Sequence, residues 1–293
     1  MANATTLCGP FPARPLDPDN ARRSLFVLAE KIDAGPATAH RHRLHQLLYA
    51  SSGVLTVHTA QGTWVVPPQR AVWLPAGQMH RVASRTSFDL CSLYASPRLR
   101  RSWRAGASAC RVIAVSPLLR ELLLVAAEAR DRYPPRGAMR RLLEVALDQI
   151  EAMDVVPLAL PPLKDARAAR VAERLRAEPQ DARTLAQWGS LVGASARSLE
   201  RLFLRDTQMS FSRWRMQLRL MTALELLGQQ RAVTDVALAV GYEDTSAFIA
   251  AFRRALGTTP RRYFADTARR RTAISPPPEP LTRHGSVLNR AAG

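Results

Sequence analysis

From Leu25 to about Leu93 the apolar residues come in short runs, L-L-Y-A, V-L-T-V and T-W-V-V-P among them, divided by S-S-G, A-Q-G-T, V-P-P-Q and L-P-A-G. Short runs punctuated by glycine and proline predict β-strands, and strands at this spacing predict a barrel or a sandwich. The period then changes. Leu118, Leu122, Val125, Ala126 and Ala129 follow helical spacing; after Pro134-Pro135 a second helix is predicted over 138–153, with Leu142, Val145, Ala146 and Ile150 on one face. Such a pair can serve as a dimer contact or close its own domain, and the pattern leaves both open. V-V-P-L-A-L-P-P-L, residues 155–163, reads as an extended linker. Beyond it, everything to about Ala265 has helical texture.

The resulting fold class is α+β in two domains. Residues 1–20 read as a loose, proline-rich arm. Residues 21–154 form a β-domain with a helical pair, 155–165 a linker, 166–266 an all-α domain, and 267–293, with P-P-P-E-P after Arg269-Arg270-Arg271, a disordered tail.

Composition narrows the function. The net charge of +18 is carried almost wholly by arginine, since Lys31 and Lys164 are the only lysines. Guanidinium forks suit phosphates and guanine edges, which favours a nucleic-acid partner; a GC-rich genome that enriches arginine, with the charges simply solvated, accounts for the same numbers. Cys8, Cys91 and Cys110 are an odd number without paired spacing, which fits a reduced cytoplasmic protein. No apolar run reaches the roughly 18–20 residues that span a bilayer, and the N-terminus shows no secretory pattern, so no membrane partner is expected.

The helical region contains an internal repeat. Leu185 to Phe211 and Val233 to Pro260 align so that Trp188, Gly189 and Gly193 match Val236, Ala237 and Gly241, while Phe203, Arg205 and Gln208 match Phe252, Arg254 and Gly257. Each copy predicts a short helix, a turn at glycine and a second helix. A small residue, Gly189 or Ala237, lets the helices cross closely, and the turn glycine can take φ > 0. Leu199, Leu202 and Phe203 form a buried stripe that leaves Arg197, Ser198, Glu200, Arg201 and Arg205 outward or flanking, a face able to enter a major groove.

These residues resemble the AraC/XylS-type transcriptional regulators. R-W-R-M-Q-L-R-L-M-T-A-L-E-L-L, from Arg213 to Leu227, is similar to that family's linking helix, and V-G-Y-E-D-T-S-A-F-I-A-A-F-R-R-A-L-G-T-T-P-R-R-Y to its second helix-turn-helix unit. The resemblance implies that Arg197, Glu200 and Arg201 face bases in one segment of double-stranded DNA and Thr245, Ser246 and Ala247 in the next. Arg254, Arg261 and Arg262 would touch phosphates, and the two units would lie roughly 34 Å apart. Two positions depart from the family. Gln208 stands where glycine is usual, and Ala250 where many members carry a basic residue.

Three of the six histidines lie in H-R-H-R-L-H-Q, from His40 to Gln46. If this stretch is a strand, His40, His42 and Gln46 share one face and His45 takes the other. With P-A-G-Q-M-H, ending at His80, the spacing resembles the two cupin motifs, with Gln46 in place of the usual glutamate. The expectation is therefore a cupin-like β-barrel sensor in which His40, His42, Gln46 and His80 hold a divalent metal or line a metal-free effector pocket. No cofactor is strictly required.

The combined expectation is a cytoplasmic, non-enzymatic transcription regulator, with an operator, a small-molecule effector, a homodimer partner and, for an activator, RNA polymerase as partners. A metal-dependent cupin enzyme with a basic appendage and a DNA-binding protein without sequence preference are the alternatives.

Overall fold

The computed structural model describes residues 17–99, 109–153, 155–156 and 158–265. The predicted arm through residue 16, the tail after 266 and Cys8 lie outside the described residues. Two antiparallel sheets make up the N-terminal domain. One contains β1 (Leu25–Ile32), β3 (His45–Ala50), β6 (Arg70–Leu74), β8 (Phe88–Ala95), β9 (Arg111–Ala114) and β10 (Val155–Val156), in the order β1-β8-β3-β6-β9-β10. The other contains β2 (Gly35–Pro36), β4 (Leu55–Thr59), β5 (Gly62–Val66), β7 (His80–Ser84) and β11 (Ala159–Leu160), in the order β11-β5-β4-β7-β2.

Side-chain alternation assigns the faces. Leu47, Tyr49, Trp73, Leu93 and Ile113 of the six-stranded sheet pack against α1 (Pro117–Ala129) and α2 (Ala138–Ala152) through Leu119, Leu123, Ala146 and Ile150. Their neighbours Leu48, Val72, Leu74, Leu90 and Val112 turn inward and meet Val57, Trp64 and Val82 of the second sheet. β3 is buried along its whole length because it has a covered face on each side.

The closed cupin-like barrel expected for this domain does not form, and the resemblance to a cupin-like sensor is corrected accordingly. The two sheets are separate and open: no ladder joins β1 to β2 or β10 to β11. The reason lies at the edges. β2, β10 and β11 are two residues long, Pro36 supplies no N–H, and Pro161-Pro162 follow β11 immediately. Such short, donor-poor edge strands cannot carry a continuous ladder round a barrel. The segment read as a linker instead contributes β10 to one sheet and β11 to the other.

The C-terminal domain is all-α: α3 (Ala166–Ala177), α4 (Leu185–Val192), α5 (Ala196–Thr207), α6 (Phe211–Gly228), α7 (Val233–Ala239) and α8 (Thr245–Leu256), with 260–265 helical again. Local chemistry sets the boundaries. Thr184 and Gln187 form a capping box at the start of α4; Ser195, Ser210 and Asp244 cap α5, α6 and α8. Gly193 ends α4 in the left-handed region, and Gln208 does the same for α5 at φ 58°, the non-glycine exception anticipated from the sequence.

The two domains share one apolar cluster, in which Val54, Val57 and Leu160 join Leu218, Met221 and Leu224 of α6. Polar contacts cross the boundary too. Thr56 Oγ1 donates to Glu225 Oε1 at 2.6 Å, Arg85 Nε lies 3.2 Å from Glu225 Oε2, and Tyr263 OH donates to Pro68 O at 3.1 Å. Among the described residues no helix is long and apolar enough to cross a membrane.

Candidate ligand pocket and nucleic-acid interface

The stretch His40–Gln46 is not one strand. His40 makes an isolated bridge with His80, exchanging backbone hydrogen bonds of 2.9 and 2.8 Å, and residues 41–44 form a loop before β3 begins at His45. The bridge and the loop bring His40, His42 and His80 together, with ring centroids 4.4 to 5.7 Å apart and one ligand atom from each within 4.8 Å of the others. His45 lies elsewhere, stacked on Trp73, its Nδ1 accepting from the Ala76 N–H at 3.0 Å.

Two of the three rings have their tautomer fixed. His40 Nδ1 faces Thr38 O at 2.8 Å and His80 Nδ1 faces Gln78 O at 3.0 Å. A carbonyl can only accept, so both rings donate from Nδ1, and in the neutral form of either ring the lone pair is on Nε2. Burial pushes the His80 imidazole down to about 4, against the Gln78 hydrogen bond, so it is neutral at physiological pH. Burial, reinforced by His40, also lowers His42. His80 Nε2 is buried with no hydrogen-bond partner among the described residues. Three imidazoles, two of them steadied by carbonyls, suit a divalent ion that takes nitrogen ligands, and the orphaned His80 Nε2 suits any bound donor or cation.

Gln46 reaches the histidines through Tyr94. Its Nε2 donates to Tyr94 OH at 2.9 Å, and the Tyr94 ring meets His42 edge-on at 5.3 Å. The Gln46 carbonyl oxygen is buried and has no hydrogen-bond partner among the described residues. Register places Phe26, Leu28 and Glu30 of β1 opposite Tyr94, Ser92 and Leu90, on the inward face that Gln46 shares. Glu30 is raised by burial, opposed by Arg130 and His40, and it in turn helps burial raise Tyr94. Glu30, Ser92 and Tyr94 were not found from the sequence. The available signal was a charged residue at an alternating position in the otherwise apolar L-F-V-L-A-E-K-I.

In the helical domain, Arg197 and Arg201 are exposed on α5. Glu200 is half-buried, and its Oε2 accepts from the Phe211 N–H at 3.3 Å, which ties it to the start of α6. On α8, Ser246 and Ala247 are exposed and Thr245 is half-buried; the Ser246 and Ala247 amides both donate to Asp244, at 3.1 Å. Arg254, Arg261 and Arg262 are exposed. Between the five-stranded sheet and α6 lies a cavity of about 550 Å³, bordered by Val54, Thr56, Val65, Arg176, Met221 and Glu225.

Comparison with known proteins matches residues 27–146 to the AraC-like ligand binding domain and residues 188–266 to a helix-turn-helix domain. The HTH-type transcriptional regulator NimR of Escherichia coli is 34% identical over 251 residues, 86% of this chain and 89% of NimR. The HTH-type transcriptional regulator RipA of Corynebacterium glutamicum is 39% identical over 123 residues, 42% of this chain and 37% of RipA. Among solved structures, a DNA-binding transcriptional dual regulator from E. coli K-12 is 29% identical, covering 36% of this chain and 96% of its own, with a TM-score of 0.33.

Proposed function

Because the chain belongs to the AraC/XylS family of helix-turn-helix transcription regulators, DNA-binding proteins and not enzymes, we propose that residues 21–154 sense a small ligand while residues 166–266 read an operator in double-stranded DNA. The observation that carries this reading is the pair of second helices, α5 and α8, each following a glycine turn, in two units that α6 links. Arg197, Arg201 and the remaining Glu200 oxygen serve one groove segment; Thr245, Ser246 and Ala247 serve the next. Arg254, Arg261 and Arg262 supply phosphate contacts and with them a salt-dependent share of the affinity. Arg201→Ala is expected to relax base preference at its position and cost about 1–3 kcal/mol on the preferred site. Titrations against that site and scrambled DNA check this; an equal loss on both would remove Arg201 from base reading.

We assign the ligand site to the cluster of His40, His42 and His80, with Gln46, Tyr94 and Glu30 on the adjoining inward face. Its two buried, unpartnered polar atoms among the described residues, His80 Nε2 and the Gln46 oxygen, are acceptors, so it favours a cation or a hydrogen-bond-donating molecule. A divalent metal is the simplest such occupant, held by the three imidazoles. Metal analysis after incubation with Zn²⁺ or Ni²⁺ and gel filtration is expected to find about one ion per chain, and far less in His42→Ala. Equal, substoichiometric metal in both would leave an organic effector as the occupant.

Glu225 supports a route between the two functions. It sits on α6, the helix joining the DNA-reading units, and is held by Thr56 and Arg85 of the sensor's second sheet. A ligand that changes the packing of that sheet thereby changes the support of α6. The exposed Leu118 and Val125 of α1 and Val145 of α2 support a second copy as the sensor's partner.

A further inference from the structure

Resting on the DNA-binding reading above, we propose that the two units read boxes of unlike chemistry: α5 recognises guanines, and α8 recognises thymine methyl groups. The outward faces of the two helices differ in kind although the helices are repeats of each other. On α5 the exposed residues Arg197, Arg201 and Leu204 fall at i, i+4 and i+7, one continuous stripe. Arg205 flanks it, but Asp206 holds its guanidinium at 2.8 and 3.3 Å. Arg197 and Arg201 have no hydrogen bond or ion pair among the described residues, so their forks are free for a ligand. A guanidinium fork matches the O6 and N7 acceptors of guanine in the major groove, which no other base pair edge presents together. Four residues of helix separate the two forks by about 6 Å, and base pairs rise by about 3.4 Å, so the two guanines lie one or two steps apart.

The outward face of α8 carries no long side chain over its first two turns. Ser246, Ala247 and Ala250 are exposed, Ile249 is half-buried beside them, and the arginines begin only at Arg253. Ser246, Ile249, Ala250, Arg253, Arg254 and Thr259 line one concave strip. The Ser246 and Ala247 amides already serve Asp244 and are not free to donate. What α8 can offer a base edge is therefore apolar contact from Ala247, Ala250 and Ile249, with one hydroxyl. Among the four bases only thymine presents a methyl group to the major groove, so this face discriminates in its favour. Short side chains also let the helix approach the groove floor closely, while Arg253 and Arg254 meet the backbone at its far end.

The test uses the full chain. Preferred duplexes are selected from a random pool and resynthesised with 7-deazaguanine, which lacks the N7 acceptor, or with deoxyuridine for thymidine, which lacks the methyl group. The expected result is two boxes about ten base pairs apart. In one, 7-deazaguanine weakens binding about tenfold; in the other, deoxyuridine weakens it several-fold and 7-deazaguanine has no effect. Arg201→Ala is expected to abolish one guanine's sensitivity and leave the deoxyuridine effect intact, whereas Ala250→Gly does the reverse. Ala250→Arg should exchange thymine for guanine dependence in the second box, which keeps the test decisive should the glycine variant weaken its helix. Guanine dependence in both boxes, or indifference to deoxyuridine, overturns the proposal while leaving DNA reading intact. Failure of the pool to yield any preferred sequence overturns the DNA-reading function itself.

Discussion

Gly189→Ala is expected to destabilise the helical domain by about 2 kcal/mol or more, although alanine is the better helix former by about 1 kcal/mol. Gly189 lies inside α4, where it is fully covered, and α5 begins seven residues later. A Cβ at this position would press into the Ala194 carbonyl oxygen and approach Ala194 C and Ala196 N to 3.4 Å. These are backbone atoms, and Ala194 is also fixed by the hydrogen bond from its N–H to Gly189 O at 2.9 Å. Neither side can turn away, so the helices must separate and the Trp188 to Phe203 core must loosen. The second unit supplies the control. Ala237 occupies the matching place and is fully buried, because Tyr242 and Glu243 stand between Gly241 and the Asp244 cap, one residue more than lies between Gly193 and Ser195. The longer turn leaves room for a methyl group. Denaturant unfolding of Gly189→Ala beside Ala237→Gly checks the argument: the first should lose more than the second, whose loss is the ordinary one of a buried methyl group and of helix propensity. Equal and small losses would show that close helix crossing does not explain Gly189.

The same contrast shows what could be read from the sequence. The helical domain was legible because its determinants are local: the turn glycines at 193 and 241 and the buried stripe at helical spacing act within a few residues. The open sheets were not legible, since whether a sheet closes depends on strands far apart, as in β1 pairing with β8. The edge prolines were visible, yet only the pairing shows that they fall at edges. At the ligand pocket, residue type alone pointed to His40, His42 and His80. The assumption of one strand through Gln46 failed because the His40–His80 bridge, a tertiary contact, replaces continuous pairing. Glu30 and Tyr94 share the inward face beside Gln46 through the β1-β8-β3 register, for which adjacent residues carry no signal.

Replacing Arg219 is expected to separate stability from operator recognition. Its side chain leaves the middle of α6 and donates to three backbone carbonyls: Nε to Pro179 O at 3.0 Å, Nη1 to Gly241 O at 3.1 Å and Nη2 to Asp181 O at 3.4 Å. Pro179 and Asp181 lie in the segment entering the first unit, and Gly241 is the turn of the second, so one guanidinium fastens both units to the helix between them. Gly241 is shaped to this contact: it holds φ +82°, and a Cβ there would come within 2.5 Å of Arg219 Nη2. Burial, and then Arg215, lowers the Arg219 pKa, but an arginine remains charged at any physiological pH. Arg219→Ala leaves three carbonyls without their donors, and hydrogen bonds to a charged group carry more weight than neutral ones, so a loss of about 2–4 kcal/mol is expected. Arg219→Lys should recover little of it, because a single ammonium cannot span carbonyls that a planar fork reaches together. With the fork gone, the angle between units is no longer fixed, and the operator must supply the ordering on binding. Affinity for the two-box operator should therefore fall more than affinity for a duplex carrying one box. Unfolding and paired titrations on the two duplexes measure both effects; an equal fall on each duplex would mean that Arg219 stabilises the domain without setting the geometry between its units.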